Sequence, residues 1–165
     1  HLVSAVSRMS NVAGTFDTNI PLSSPLGVED RNGAGNYTLV FTFDAPVQSG
    51  SATVSGTATT GTATFTGNQM TVPLTGVADQ QTLAVTAMNV TGTNGGILSS
   101  PSVNVGFLIG DTNGDGAVSS SDIGQTKSQA GNTVTNSNFR LDVNNNVVIN
   151  GSDVSQVKSI SGHYL

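Results

Sequence analysis

Asp111, Asn113, Asp115 and Asp122 stand at the first, third, fifth and twelfth positions of the run Asp111-Thr-Asn-Gly-Asp-Gly-Ala-Val-Ser-Ser-Ser-Asp122. Carboxylate and amide oxygens at that spacing can wrap a hard cation such as Ca²⁺, which takes about six to eight oxygen ligands. On this reading the carbonyl of Ala117 adds a ligand, Ser119 acts through a water, Gly116 permits the sharp turn and Val118 faces the core. A second run, Asp142-Val-Asn-Asn-Asn-Val-Val-Ile-Asn-Gly-Ser-Asp153, keeps Asp142, Asn144, Asn146, the carbonyl of Val148, Asn150 and Asp153 in register. It has two carboxylates where the first run has three. Val147 also occupies the turn position that favours glycine, where a positive φ strains a β-branched side chain. Two calcium sites are therefore expected, the second weaker than the first.

These loops belong to a duplicated segment. At an offset of 31 residues Asp122 falls on Asp153, Gln125 on Gln156, Lys127 on Lys158, Ser128 on Ser159 and Gly131 on Gly162, a coincidence that composition bias does not explain. Each loop leads into a predicted short helix, Ser121 to Ala130 and Ser152 to Ser161, with Gly at its C-terminal end. Upstream the pattern is different. In Tyr37-Thr-Leu-Val-Phe-Thr-Phe43 the residues Tyr37, Leu39, Phe41 and Phe43 share one face, the period-two signature of a half-buried strand. Similar runs cover Phe16 to Leu22, Ser51 to Ser55, Thr62 to Thr66, Met70 to Leu74, Gln81 to Val90 and Ser102 to Leu108, separated by turns such as Asn32-Gly33 and Asn94-Gly95-Gly96. About seven or eight short strands at this spacing predict an antiparallel β-sandwich of Ig-like type. The expected organisation is a mostly-β chain, with residues 1–108 as the sandwich and residues 109–165 as a small helical module holding two calcium loops.

Composition narrows the function. The formal charge is −5 and no Lys or Arg cluster occurs, so the electrostatic footprint of nucleic-acid or anionic-membrane binding is missing. No run of about 18 apolar residues suggests membrane insertion. Cysteine is absent, and the two histidines, His1 and His163, lie at opposite ends of the chain. Because the chain starts at His1 without a signal-peptide pattern, it reads as a mature fragment or an excised module. The inventory for an enzyme is poor. The tightest acidic cluster outside the loops is Glu29-Asp30-Arg31, which could serve glycoside hydrolysis only in a cleft and reads instead as a solvated turn. A sugar-binding sandwich would need exposed aromatics, whereas most of the eight here fall on inward strand phases.

The duplicated Asp-x-Asn-x-Asp/Asn loop, each copy followed by a helix with a central Lys, entered from a strand and closed by Asp, resembles the type I dockerin domain over about residues 109–165. The residues before it resemble the Ig-like sandwich that precedes such modules in large bacterial secreted or surface proteins. The resemblance implies a non-catalytic extracellular module that binds a cohesin domain. Family recognition positions fall on Ser120, Ser121, Lys127 and Ser128 in the first copy, and on Gly151, Ser152, Lys158 and Ser159 in the second. Each such Ser could alternatively cap its helix, and each Lys could lie on a solvated face. A second function keeps the same parts: a self-assembling subunit of a bacterial surface fibre, in which sandwich and calcium module form one rigid unit and open sheet edges pair with a second copy.

Overall fold

A computed structural model describes all residues from His1 to Leu165. Ten strands precede two helices: β1 Leu2–Asn11, β2 Gly14–Ile20, β3 Gly27–Glu29, β4 Tyr37–Phe43, β5 Val47–Val54, β6 Thr59–Thr60, β7 Thr64–Thr66, β8 Gln69–Thr75, β9 Gln81–Gly92, β10 Ser102–Phe107, α1 Ser120–Ser128 and α2 Gly151–Ser159. The strands form two sheets, one in the order β2-β1-β4-β8-β6 with β7 also paired to β8, the other in the order β3-β10-β9-β5. All pairings are antiparallel except β3 with β10. The alternation read in Tyr37–Phe43 becomes β4, whose Leu39, Phe41 and Phe43 are fully buried in one cluster with Leu83, Val85 and Ala87 of β9. Burial of these side chains from both sheets is the main force holding the layers together, at roughly 1.5–3 kcal/mol for each large apolar side chain.

Several strand assignments differ from the sequence pattern: β1 and β6 lie outside the expected runs, and β5 begins at Val47 where the expected run begins at Ser51. The hairpin β1–β2 turns at Val12-Ala13, where no Gly-containing turn dipeptide marks it. The strand β2 ends at Ile20, two residues before the expected Leu22. The strand β3 has no alternation because all three of its residues are buried. It is short enough to be fixed by position alone, parallel to β10 and flanking the C-terminal half of the molecule.

A second, smaller cluster lies there. Val28 of β3 and Leu108 after β10 are buried with Val118, Val143 and Val157, and Ile109, Ile123, Ile160 and Leu165 pack around them. Gly106 of β10 lies directly under Leu165, whose Cδ1 would be 2.5 Å from a Cβ there, so the chain end rests closely on this strand. The β3–β10 end of the four-stranded sheet therefore supplies part of the wall against which the helical half folds.

Between the helices the chain makes one 3₁₀ turn at Phe139–Leu141. The halves of this region are cross-connected. Tyr164, after α2, bridges to Ala117 in the first loop, while Thr133, after α1, bridges to Val148 in the second. Gly162 N donates to Val118 O at 2.8 Å and Gly131 N donates to Ile149 O at 2.7 Å, the same bond at the 31-residue offset.

Candidate functional site

The two loops reproduce one hydrogen-bond scheme. Asp111 accepts from the amides of Asp115 and Gly116, at 3.1 and 2.9 Å, and Asp142 accepts from those of Asn146 and Val147, both at 2.9 Å. Asn113 Oδ1 takes Asp115 N at 2.8 Å and Asn144 Oδ1 takes Asn146 N at 3.1 Å. Asp115 Oδ1 and Asn146 Oδ1 each accept from the amide two residues on, at 3.0 Å. At the far end Asp122 accepts from Asn113 N and Ser119 N, and Asp153 from Asn144 N and Asn150 N, at 3.2 and 2.9 Å in each loop. Asn and Asp recur at these positions because their short side chains reach backbone amides two to five residues along the chain, holding a loop that has no ladder partner.

That scheme needs left-handed backbone at two points per loop. Gly114 and Gly116 supply it in the first, at φ 75° and 89°. In the second the same positions are Asn145 and Val147, at φ 56° and 71°. Val147 thus carries the strain expected of a β-branched residue there, on the order of 1–2 kcal/mol. The first loop also has bonds the second lacks: Gly114 N donates to Asp111 Oδ1 and Asn113 Nδ2 to Asp115 Oδ2, both at 2.9 Å.

Each loop ends in a capping box. Ser119 accepts from Ser121 N and Asn150 from Ser152 N, while the N3 carboxylates Asp122 and Asp153 bond back to the cap residue's amide. The helices therefore begin one residue earlier than expected and are capped by Ser119 and Asn150, not by Ser120, Ser121 or Ser152. Those three side chains are exposed, as are Lys127, Ser128, Gly151, Lys158 and Ser159. Ser121 and Ser152 accept from Asn113 and Asn144 Nδ2 at 2.7 Å, and Ser128 and Ser159 donate to the carbonyls of Gln125 and Gln156 on their own helices.

Asp111, Asp122, Asp142 and Asp153 are buried, whereas Asn113, Asp115, Asn146 and Val148 are exposed and Ala117 and Asn144 lie in between. Burial pushes the Asp111 and Asp142 carboxyls up, against the pull of the loop amides, and the carboxylates of Asp122 and Asp153 add to the rise. Paired buried carboxylates of this kind are disfavoured as anions and are relieved by a cation between them. No three acidic or histidine side chains gather at one point; a cation would draw its remaining ligands from Asn amides and backbone carbonyls, the oxygen set that suits Ca²⁺. The donor chemistry fits that ion.

The triad Glu29-Asp30-Arg31 is not a solvated turn. All three residues are buried, at 1% exposure or less. Arg31 forks onto Glu29 through Nε and Nη2, both at 2.8 Å, and donates to Phe16 O, Thr18 Oγ1 and Ser7 O. Its guanidinium lies 4.9 Å from the centroid of Phe139, whose ring stacks on Phe16 at 5.5 Å. Asp30 faces the other way, 3.0 Å from Arg140 Nη2, in a geometry that makes no hydrogen bond. Burial pushes its carboxyl up to about 8, outweighing the opposing pull of Arg140. Charge alone predicts these residues at the surface; the signal that reverses it, Arg140, lies more than a hundred positions along the chain. Both carboxylates are closed off from any cleft. The largest cleft, about 490 Å³, lies between Gln125, Ser128 and Gln129 of α1 and the segment 136–141, and no carboxylate or histidine lines it.

Arg140 also donates to Asp111 O, Thr112 O and Val28 O, at 2.9, 3.0 and 2.9 Å. Asn32 N donates to Val143 O at 2.7 Å, and Asn11 Nδ2 to Asn145 Oδ1 at 2.8 Å. Asp79 accepts from Ile109 N at 2.7 Å and lies 3.4 Å from His163 Nδ1. No helix is long and apolar enough to cross a membrane. No curated protein and no solved structure matches the chain. Residues 109–160, which carry both loops and both helices, match the family of the dockerin type I domain.

Proposed function

We propose that this chain is a non-catalytic attachment module in which residues 109–165 bind two calcium ions and dock a cohesin-like protein domain outside the cell, on a bacterial secreted or surface protein. Dockerin type I domains are calcium-binding, cohesin-interacting modules. The observation that carries the calcium reading is the repeated loop scheme, which buries two carboxylates per loop close enough to repel each other as anions, among Asx side chains bonded to loop amides. The ligands would be Asp111, Asn113, Asp115, Ala117 O, Ser119 and Asp122 in the first loop, and Asp142, Asn144, Asn146, Val148 O, Asn150 and Asp153 in the second. The second site is the weaker one, because it has one carboxylate fewer and the strained Val147.

The docking surface would be the exposed flank of α1 and α2, with Ser120, Ser121, Lys127, Ser128, Ser152, Lys158 and Ser159 as contacts. Residues 1–108 form the Ig-like sandwich that carries it. Docking is favoured over fibre formation by edge pairing because residues 109–160 match a cohesin-interacting family and the Ala52 carbonyl on the free edge of β5 is already engaged by Thr60 Oγ1 at 3.0 Å.

Calorimetric titration of the calcium-free chain tests this. Two unequal steps are expected, and Val147→Gly should tighten the weaker one about tenfold by removing roughly 1–2 kcal/mol of backbone strain. Two equal steps, or no response to Val147→Gly, would contradict the ranking of the sites. A calcium-loaded chain that stays monomeric until a cohesin is added supports docking; calcium-dependent oligomers of the chain alone would support the fibre.

A further inference from the structure

The two calcium loops do not stand by themselves: each is held by residues outside its own twelve. Arg140 sits in the 3₁₀ turn two residues before the second loop, yet its guanidinium bonds the first, donating to Asp111 O and Thr112 O. The same group reaches the sheets through Val28 O and the carboxylate of Asp30. Arginine suits this place because its planar fork can serve several carbonyls at once, which a lysine cannot. At the 31-residue offset Arg140 corresponds to Ile109, so the second loop has no such cation. It is held from the sheet part of the chain, through Asn32 N of the β3–β4 loop on Val143 O and Asn11 Nδ2 at the end of β1 on Asn145 Oδ1. Asn145 is one of the two left-handed residues that replace glycines in that loop. Asn11, at the end of β1, lies 134 positions away and bonds the loop at one of its two left-handed residues.

We propose that Arg140 and Asn11 are positioning residues for calcium, Arg140 for the first loop and Asn11 for the second, so that the two-sheet part is a working component of the metal sites. Neither residue supplies a ligand. Each lowers the cost of arranging the ligands before the ion arrives, Arg140 by fixing backbone carbonyls of the first loop and Asn11 by holding the Asn145 side chain of the second. The inference rests on the calcium reading proposed above.

The test is a double dissociation in the full chain. Asn11→Ala should weaken only the weaker calcium step, about three- to tenfold, in line with one lost hydrogen bond. Arg140→Lys, which retains the charge beside Asp30 but not the fork, should weaken the tighter step tenfold or more. Amide hydrogen exchange in calcium-free protein assigns each effect to its loop. Asn146 and Val147 should exchange faster in Asn11→Ala, and Asp115 and Gly116 faster in Arg140→Lys, with β4 and β9 amides unchanged. Should Arg140→Lys fail to fold, Asn11→Ala with Asn11→Asp, which keeps an oxygen but loses the Nδ2 donor, still decides the matter, since both should weaken the same step. A parent chain showing two steps, with variants that titrate alike or lose both steps equally, overturns the inference while leaving calcium binding intact. A parent chain with no calcium response overturns the calcium reading and the inference with it.

Discussion

Asp30 is fully buried with no hydrogen-bond partner for its carboxyl, and its cationic neighbours Arg140 and Arg31 do not keep it ionised. With a native pKa of about 8 against an ordinary value near 3.8, the folded chain retains a proton that the unfolded chain has released between those two limits. Stability from this residue is therefore greatest below about pH 4, declines as pH rises through the interval, and levels off above about pH 8. Asp30→Asn keeps the shape and removes the titration. Its unfolding free energy in calcium-free buffer should vary less between pH 4 and pH 8 than that of the parent, with a gain at the alkaline end on the order of a few kcal/mol; parallel curves would refute the assignment. Arg31 behaves in the opposite sense. It is paired and bonded on every side, so Arg31→Leu would strand the Glu29 carboxylate in the core and should cost about 3–5 kcal/mol in denaturant unfolding. None of this burial was legible in the local sequence, because a Glu-Asp-Arg triplet carries the signature of a surface turn and its compensating partners come from β1, β2 and the distant Arg140.

The elements that could be read from the sequence are those whose burial repeats with their own period. Tyr37, Leu39, Phe41 and Phe43 are buried around half-buried Thr38 and Thr42, with Val40 the one buried break in the alternation, and β4 emerges where that pattern predicts it. The strand β3 is buried on both faces by different halves of the molecule, so it leaves no period to read. The helices are a third case. Neither has a strong apolar stripe, and α1 buries only Asp122 and Thr126; they were found through the duplication and the loop spacing. Their boundaries follow from the capping boxes, in which Asp122 and Asp153 serve as both the closing loop residue and the N3 partner of the helix. That double use makes the helices dependent on their caps. Asn150→Ala should lower the stability of α2 by about 1 kcal/mol and reduce helical circular dichroism in calcium-free protein before any change in the strand signal.

At the scale of the whole molecule the acidic balance acquires a location. Five of the ten acids are Asp111, Asp115, Asp122, Asp142 and Asp153, and two bound divalent ions would take the formal charge from −5 to about −1. Cation binding that favours the native form stabilises it by mass action, and the ligands lie in the half with the smaller core. Chelation should therefore remove helical signal at a lower temperature than strand signal, with the gap closing as calcium is restored; helix signal indifferent to chelator would contradict the calcium reading. The contacts of Arg140 with Val28, Asn11 with Asn145, Asn32 with Val143 and Asp79 with His163 were invisible to a linear reading because each joins residues on opposite sides of the two-residue connection Ile109-Gly110.

The crossed bridges also bear on how such a fold could arise. Tyr164 closes on the first copy and Thr133 on the second, so a single copy cut out of the chain would present an orphaned tail and an unmet loop, each complementary to the other. Two such fragments would satisfy those groups by exchanging tails across a two-fold axis. In its connectivity the helical half is a tail-swapped homodimer fused into one polypeptide.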